Sequence, residues 1–204
     1  FTGVRNIGLD AEIRAAVHRL AGVLTELGHR VVAGDPDYGM VGLNFLPRSL
    51  AGVNDWYRRV PDAALLDRRS ADNGRVGRWL RGPALRASRS TLGYFQRRAG
   101  RIFDRADVVL TPATASPPLP VGAIDGLRGW QTDRTVIAAC PYAWPWNVLG
   151  WPAVSVPAGL TAAGLPVGAQ LLGPADSEAL LISLAAQLEG VERWNERTPP
   201  FEIP

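Results

Sequence analysis

Lysine is absent from the sequence: all 22 basic residues are arginine. The absence excludes, within these 204 residues, any mechanism that needs a lysine base, a lysine Schiff base or a phosphate-binding P-loop lysine. It also fits a G+C-rich coding bias of the actinobacterial kind. Cysteine is nearly absent as well. The single Cys140 cannot close an internal disulfide, and a reducing cytoplasm is the expected compartment. Histidine is limited to His18 and His29, too far apart in sequence for the close ligand spacings of zinc sites, so neither metal nor cofactor is expected. No apolar run reaches the roughly 18 residues that span a bilayer. Residues 1–7 lack the charged, then apolar, then small-residue pattern of a secretory leader. Missing too are a G-x-S-x-G elbow, a G-x-G-x-x-G loop and a Walker sequence. The chain opens on Phe1 rather than methionine, and is therefore expected to be part of something longer.

What remains is a globular composition: 47% hydrophobic, 20% charged, net charge +3. Those proportions exclude disorder, and a chain of this length can bury roughly 70% of its unfolded surface. Between residues 9 and 30, Ile13, Val17, Leu20, Val23, Leu24 and Leu27 recur at helical spacing. Asp10 reads as the N-cap and Gly28 as the C-cap. The flanking "GVRNIG" (residues 3–8) and "HRVVAGDP" (residues 29–36) each fit a strand. The whole of residues 1–36 thus reads as a strand-helix-strand unit of an α/β fold.

Residues 42–106 hold most of the arginines and few β-branched residues, and read as a helical layer. Its expected helices cover residues 42–57, 61–69, 76–80 and 83–105, divided by Pro61, Gly74 and the Arg81-Gly82-Pro83 turn. Residues 107–204 supply strands at 108–111, 153–156 and 167–172, and a short helix or turn at 135–149. A terminal helix there is capped by Asp176 or Ser177, buries Leu180, Leu181, Leu184 and Leu188, and stops at Gly190. The glycines between the last two strands read as hairpin punctuation.

Few residues could carry chemistry. A nucleophile served by His18 or His29 would need a distant serine or Cys140 brought to it. His29, after Gly28, reads instead as a helix-end residue, and Cys140 as a small core or pocket-wall residue. About thirteen arginines against about four acids between residues 58 and 105 would attract phosphate. Leu80, Leu85, Leu92, Phe95 and Ile102, spaced among them, favour helices with a solvated charged face, so no specific nucleic-acid partner is expected. Tyr142, Trp144, Trp146 and Trp151, interleaved with Pro141, Pro145 and Pro152 beside the amide of Asn147, fit either the wall of a small-molecule cleft or core filling.

Four motifs in fixed order carry a family resemblance: "DVVLTP" (107–112), "WNVLGWPAVSVPAG" (146–159), "GLPVGAQLLG" (164–173) and "EALLISLAAQLE" (178–189). Together they resemble the C-terminal part of amidase signature enzymes. "LTELGHRVV" is similar to the segment that follows the catalytic core in that family, and "DPDYG…NFLPR" looks like actinobacterial members. The resemblance implies one amidase domain, of which residues 1–204 are the C-terminal portion, contributing strands to a large mixed β-sheet covered by helices. It further implies hydrolysis of linear carboxylic amides by a serine nucleophile, a second serine on a cis peptide bond and a lysine base, all upstream of Phe1. By the same matching, Tyr142, Ala143, Trp144, Trp146 and Asn147 fall where relatives line the acyl pocket, and Asp176 near the cleft mouth. The implied partners are a small amide substrate and the upstream segment of the same protein.

A different class of reading is a non-catalytic ligand- or partner-binding module derived from the same half of the fold. Such a module would present bare strand edges and would dimerise or aggregate; a homodimer is one way of covering them.

Overall fold

The computed structural model describes residues 8–197, and the order of elements follows from local sequence chemistry. Helix α1 spans Ala11–Glu26. The Asp10 carboxylate accepts from the backbone N–H groups of Glu12 (2.9 Å) and Ile13 (3.2 Å), satisfying two donors that a helix start leaves free. At the other end Gly28 takes φ +92°; its N–H donates to the Thr25 carbonyl and that of His29 to the Leu24 carbonyl, the paired bonds of a Schellman turn. Ile13, Leu20 and Leu24 form the buried stripe.

The expected strand at residues 29–36 does not form. The segment is irregular there, with Val31 and Val32 about half exposed, because no ladder partner lies beside it among the described residues. The companion strand expected at residues 3–8 falls, but for Gly8, outside the described residues.

The helical layer comprises α2 (Gly42–Tyr57), α3 (Arg68–Leu80), α4 (Pro83–Ser90) and α5 (Leu92–Gly100), with short 3₁₀ turns at Ala63–Leu65 and Arg101–Asp104. Residues 42–57 are helical as expected, but the expected helix at 61–69 is mostly a 3₁₀ turn and that at 76–80 is the end of α3. Gly74, expected to divide helices, lies inside α3 because Gly74 and Gly77 form its contact with α2. A Cβ at Gly74 would meet the Tyr57 ring, and one at Gly77 the Leu50 carbonyl oxygen. Asn54 seals the same contact, its amide donating to the Gly74 carbonyl at 2.6 Å. The expected continuous helix at 83–105 is broken at Thr91, whose hydroxyl bonds back to the Ala87 carbonyl and to Asn44. Such local bonding competes with the helix ladder.

Strands β1 (Val109–Pro112), β2 (Ala153–Leu160) and β3 (Pro166–Leu172) form one antiparallel sheet in the order β1-β3-β2. Val109, Leu172 and Ala153 stand level across it, then Leu110, Leu171 and Val154. A bulge at Pro157/Gly159 bends β2, with Gly159 at φ +126°. One face packs Val156, Ala158, Val167, Ala169 and Leu171 against α1 and the terminal helix α8 (Glu178–Glu192). The other carries Val109 and Leu172 into an aromatic cluster beneath α2 and α5. Between β1 and β2 lie α6 (Gly129–Ala139) and α7 (Trp144–Leu149), two helices where one short helix or turn was expected.

Helix α8 departs from expectation at both ends. Ser177 holds the N-cap position without a side-chain cap bond, its hydroxyl donating instead to the Pro174 carbonyl (2.7 Å), and Asp176 lies one residue outside at φ +61°. The helix runs through exposed Gly190 and stops where Arg193 turns left-handed at φ +50°, paired with Glu196. Leu181, Leu184 and Leu188 are buried, whereas Leu180 faces outward at 44% exposure. Arg19 joins the first helix to the last: its guanidinium grips both Glu192 oxygens (2.6 and 2.9 Å) and donates to the Ala158 carbonyl on β2.

Two outcomes follow. Gly77→Ala is expected to destabilise the chain by about 3 kcal/mol or more by forcing α2 and α3 apart, read as a lowered urea midpoint. Asp67 caps α3 and is held at about 2, first by the Ser70 hydroxyl, then by the Ser70 backbone N–H and by Arg69. The lowered value means its stabilising contribution is present above about pH 4 and is lost as pH falls toward about 2. Asp67→Ala removes about 1 kcal/mol at neutral pH and abolishes that part of the acid sensitivity.

Candidate functional site

The segment singled out by its aromatics runs from the turn after α6 through α7. Pro145 sits in the first turn of α7, where its missing N–H costs nothing, and Gly150 ends the helix left-handed at φ +72°. Pro145, Trp146, Val148 and Leu149 of this short helix are buried, and Asn147 is exposed. Trp146 points inward and is 1% exposed, its Nε1–H donating to the Pro152 carbonyl at 3.1 Å. Its ring meets Tyr38, Phe103 and Trp151 edge-on, with centroids 5.3 to 6.2 Å apart, a geometry that aligns ring edges with ring faces. Trp146 is therefore the hub of the aromatic core. Trp144, half-buried, packs on the margin of the same cluster, tilted against Phe45 at 5.3 Å, and its indole N–H is buried without an acceptor among the described residues. Ala143 is half-buried, Asn147 exposed and Tyr142 buried. Asp176 is exposed at its left-handed bend before α8.

A cavity of about 270 Å³ lies between β1, the start of α1 and the bend at residues 34–36. Leu9, Arg14, Asp35, Thr111, Pro141 and Tyr142 contribute to its lining. Of the sequence-expected site residues, Tyr142 alone reaches it. Burial raises the Tyr142 phenol above its ordinary value, while nearby Arg14 lowers it and Asp35 raises it. Burial, and then Asp35, push Tyr38 up as well. Both phenols are therefore protonated at neutral pH and serve as hydrogen-bonding groups rather than bases. Arg14 and Asp35 were not singled out in the sequence. Their only signal there was position, one on the polar side of α1 and the other after the "HRVVAG" segment.

A second feature escaped sequence reading. Thr111, Gln170 and Ser155 stand level across the three strands and form a polar row on the face opposite α1 and α8. Gln170 is buried and its amide donates to the Pro112 carbonyl at 3.0 Å, while the Thr111 hydroxyl donates to the same oxygen. Strand alternation would have grouped Thr111 with Val109 and Ser155 with Ala153, but the register that aligns the three strands is not written locally.

The Ser70 hydroxyl donates to the Asp67 carboxylate at 2.6 Å within the exposed cap of α3, and the described residues show no hydrogen bond from a serine or Cys140 to a histidine. His29 bonds Gln187 through Nε2 at 3.0 Å on the outer surface, Cys140 is half-buried, and the Ser155 hydroxyl contacts only the Ala169 carbonyl, at 3.4 Å. Among the described residues, no three of histidine, cysteine, aspartate and glutamate converge as metal ligands, and no helix is long and apolar enough to cross a membrane.

Comparison with known proteins identifies the scaffold to which these walls belong. The Amidase family matches residues 2–182. The chain belongs to the amidase family. Amidase AmiA2 of Mycobacterium tuberculosis is 52% identical over 200 residues, and amidase AmiB2 of the same organism 36% over 186. These alignments take in 98% and 91% of this chain but only 41% and 40% of those proteins, so the chain spans about two fifths of their length. Among solved structures, 6-aminohexanoate cyclic dimer hydrolase superposes with a TM-score of 0.83 at 24% identity, over 94% of this chain and 44% of that one. A bacterial aryl acylamidase of the amidase signature family gives 0.68 at 21% identity, over 93% and 42%. The amidase chain therefore has the α/β fold of amidase signature enzymes, of which it is a C-terminal portion. Its three antiparallel strands are the part of that sheet the described residues contain.

The contrast in burial between neighbouring residues of α7 makes a direct test. Trp146→Ala is expected to destabilise the chain by about 3–5 kcal/mol as a buried aromatic is lost. Asn147→Ala, one residue along, should stay within about 0.5 kcal/mol. Urea unfolding of the two variants measures both.

Proposed function

We propose that this chain is the non-catalytic wall of an amide hydrolase whose serine, cis-peptide serine and lysine lie in polypeptide preceding Phe1. The observation that carries the reading is the conjunction of amidase family membership with a sequence holding no lysine, in a chain two fifths as long as its relatives. In the complete protein the lysine, acting through the bridging serine, takes the proton of the nucleophilic serine. The serine attacks the amide carbonyl, ammonia or an amine departs, and water releases the acid from the acyl-enzyme. The reaction needs no metal or cofactor. Its setting is the cytoplasm, which suits the unpaired Cys140.

Within that enzyme, the turn before α7 and α7 itself border the acyl pocket. Trp144, Ala143 and Asn147, half-buried or exposed, are the side chains available to a substrate. Trp146 and Tyr142 hold them in place from behind, and Asp176 stands at the cleft mouth. An indole wall favours an apolar or aromatic acyl group, and the buried Trp144 N–H would direct an acceptor on it.

Amide hydrolysis by the 204-residue chain and by the complete protein decides the main point. The chain alone is expected to show none and the complete protein turnover; turnover by the chain alone would sink the reading. In the complete protein, Trp144→Ala is expected to lower kcat/KM for aromatic amides about tenfold relative to small aliphatic ones. Equal losses for the two classes would remove Trp144 from the pocket.

A further inference from the structure

Helix α7 has six residues, too few to be stable by itself in water, so its attitude is set by what grips its ends. The carbonyls of its last turn have no donors within the helix. Gly150 supplies one, its N–H donating to the Trp146 carbonyl at 3.0 Å. Two more come from other helices. Arg48 of α2 donates from Nη1 to the Val148 carbonyl (3.2 Å), and Gln96 of α5 from Nε2 to the Leu149 carbonyl (2.8 Å).

Arg48 is itself held. Its Nε donates to the Ser88 hydroxyl on α4 at 3.1 Å, and that hydroxyl donates in turn to the Asn44 carbonyl at 3.1 Å. Ser88 and Asn44 are both buried, so the guanidinium is anchored to a point shared by α2 and α4. Among the described residues no carboxylate pairs with it. A half-buried arginine without such a counter-charge is committed to the groups it does bond, one hydroxyl and the end of α7. The same contact carries Trp144. Phe45 and Arg48, three residues apart, share a face of α2, as Trp144 and Val148, four apart, share a face of α7. Phe45 meets the Trp144 ring and Arg48 the Val148 carbonyl, so the two contacts are successive rungs between the helices.

We propose that Arg48 is a positioning residue for amide specificity: by fixing the carbonyl end of α7 it sets where the Trp144 indole stands in the acyl pocket. The inference rests on the reading that Trp144 lines that pocket, and adds to it a residue that does not touch the substrate. Without the guanidinium the carbonyl of buried Val148 loses its donor. Gln96 alone then holds that end, and the helix turns about Trp146, which the core and the Pro152 carbonyl keep in place. Trp144 moves with it.

Kinetics of the complete protein test the role. Arg48→Met keeps an apolar stem and removes the donors. It is expected to lower kcat/KM for aromatic amides about tenfold relative to small aliphatic ones, as Trp144→Ala does. The double variant is expected to lose no more selectivity than Trp144→Ala alone, because both changes act through one indole. Arg48→Lys, which keeps a cationic donor, should recover part of the loss. Asn54→Ala is the control: it loosens α2 on α3 without touching α7, and should lower the urea midpoint while leaving selectivity unchanged. Should Arg48→Met fail to fold, Ser88→Ala, which frees the guanidinium from its anchor and keeps the charge, takes its place with the same expected direction. Selectivity lost in Trp144→Ala but kept in the Arg48 or Ser88 variant would overturn the role of Arg48 and leave the pocket reading standing. Selectivity unmoved by Trp144→Ala would remove the pocket reading, and this inference with it. Additive losses in the double variant, or an equal shift in Asn54→Ala, would reduce Arg48 to a stabilising contact and overturn the proposal.

Discussion

Everything in this molecule leans on β3. It is hydrogen-bonded along both edges and covered on both faces, with Ala169, Leu171 and Leu172 fully buried. A strand so placed reads as a nearly continuous apolar run, and "VGAQLL" is one. Its two faces organise two separate cores. Leu171 and Ala169 receive α1 and α8, while Leu172, together with Val109, receives Trp146 and the helical layer. Because both cores share one backbone, a shift of β3 by a single residue would exchange their side chains wholesale. The buried Gln170, tied to the Pro112 carbonyl, opposes such a slip.

Elements whose signals are local were legible in the sequence. The start of α1 was fixed by Asp10 and its end by Gly28, and the hairpin by its glycines, because caps and turns depend on a few adjacent residues. The misreadings share one origin. Gly74 and Gly190 look like breakers along the chain; Gly74 is instead a contact surface demanded by α2, and Gly190 is tolerated in a helix whose face is already anchored by Leu188. Residues 29–36 have strand composition but, among the described residues, no strand beside them, a condition no local pattern can reveal. Thr91 breaks a helix by bonding to Asn44, 47 residues away. Each failure is a tertiary contact overriding a propensity.

The candidate site divides along the same line. The density of aromatics and prolines in residues 141–147 was legible; which of them face inward was not, since α7 is too short to display a periodicity. Burial differs residue by residue, with Trp146 in the core and Asn147 at the surface. What the described residues of this amidase chain supply is shape: strands, helices and an aromatic core.

The glycine contact between α2 and α3 also governs how the helical layer can move. Sliding α3 by one turn, 5.4 Å, would bring Leu80 to Gly77's place in one direction, or Ala71 to Gly74's in the other. Either side chain collides with what the glycines now admit, the Leu50 carbonyl or the Tyr57 ring. The pair thus has a single seating, like a key with one cut. The two helices are thereby joined as one rigid plate.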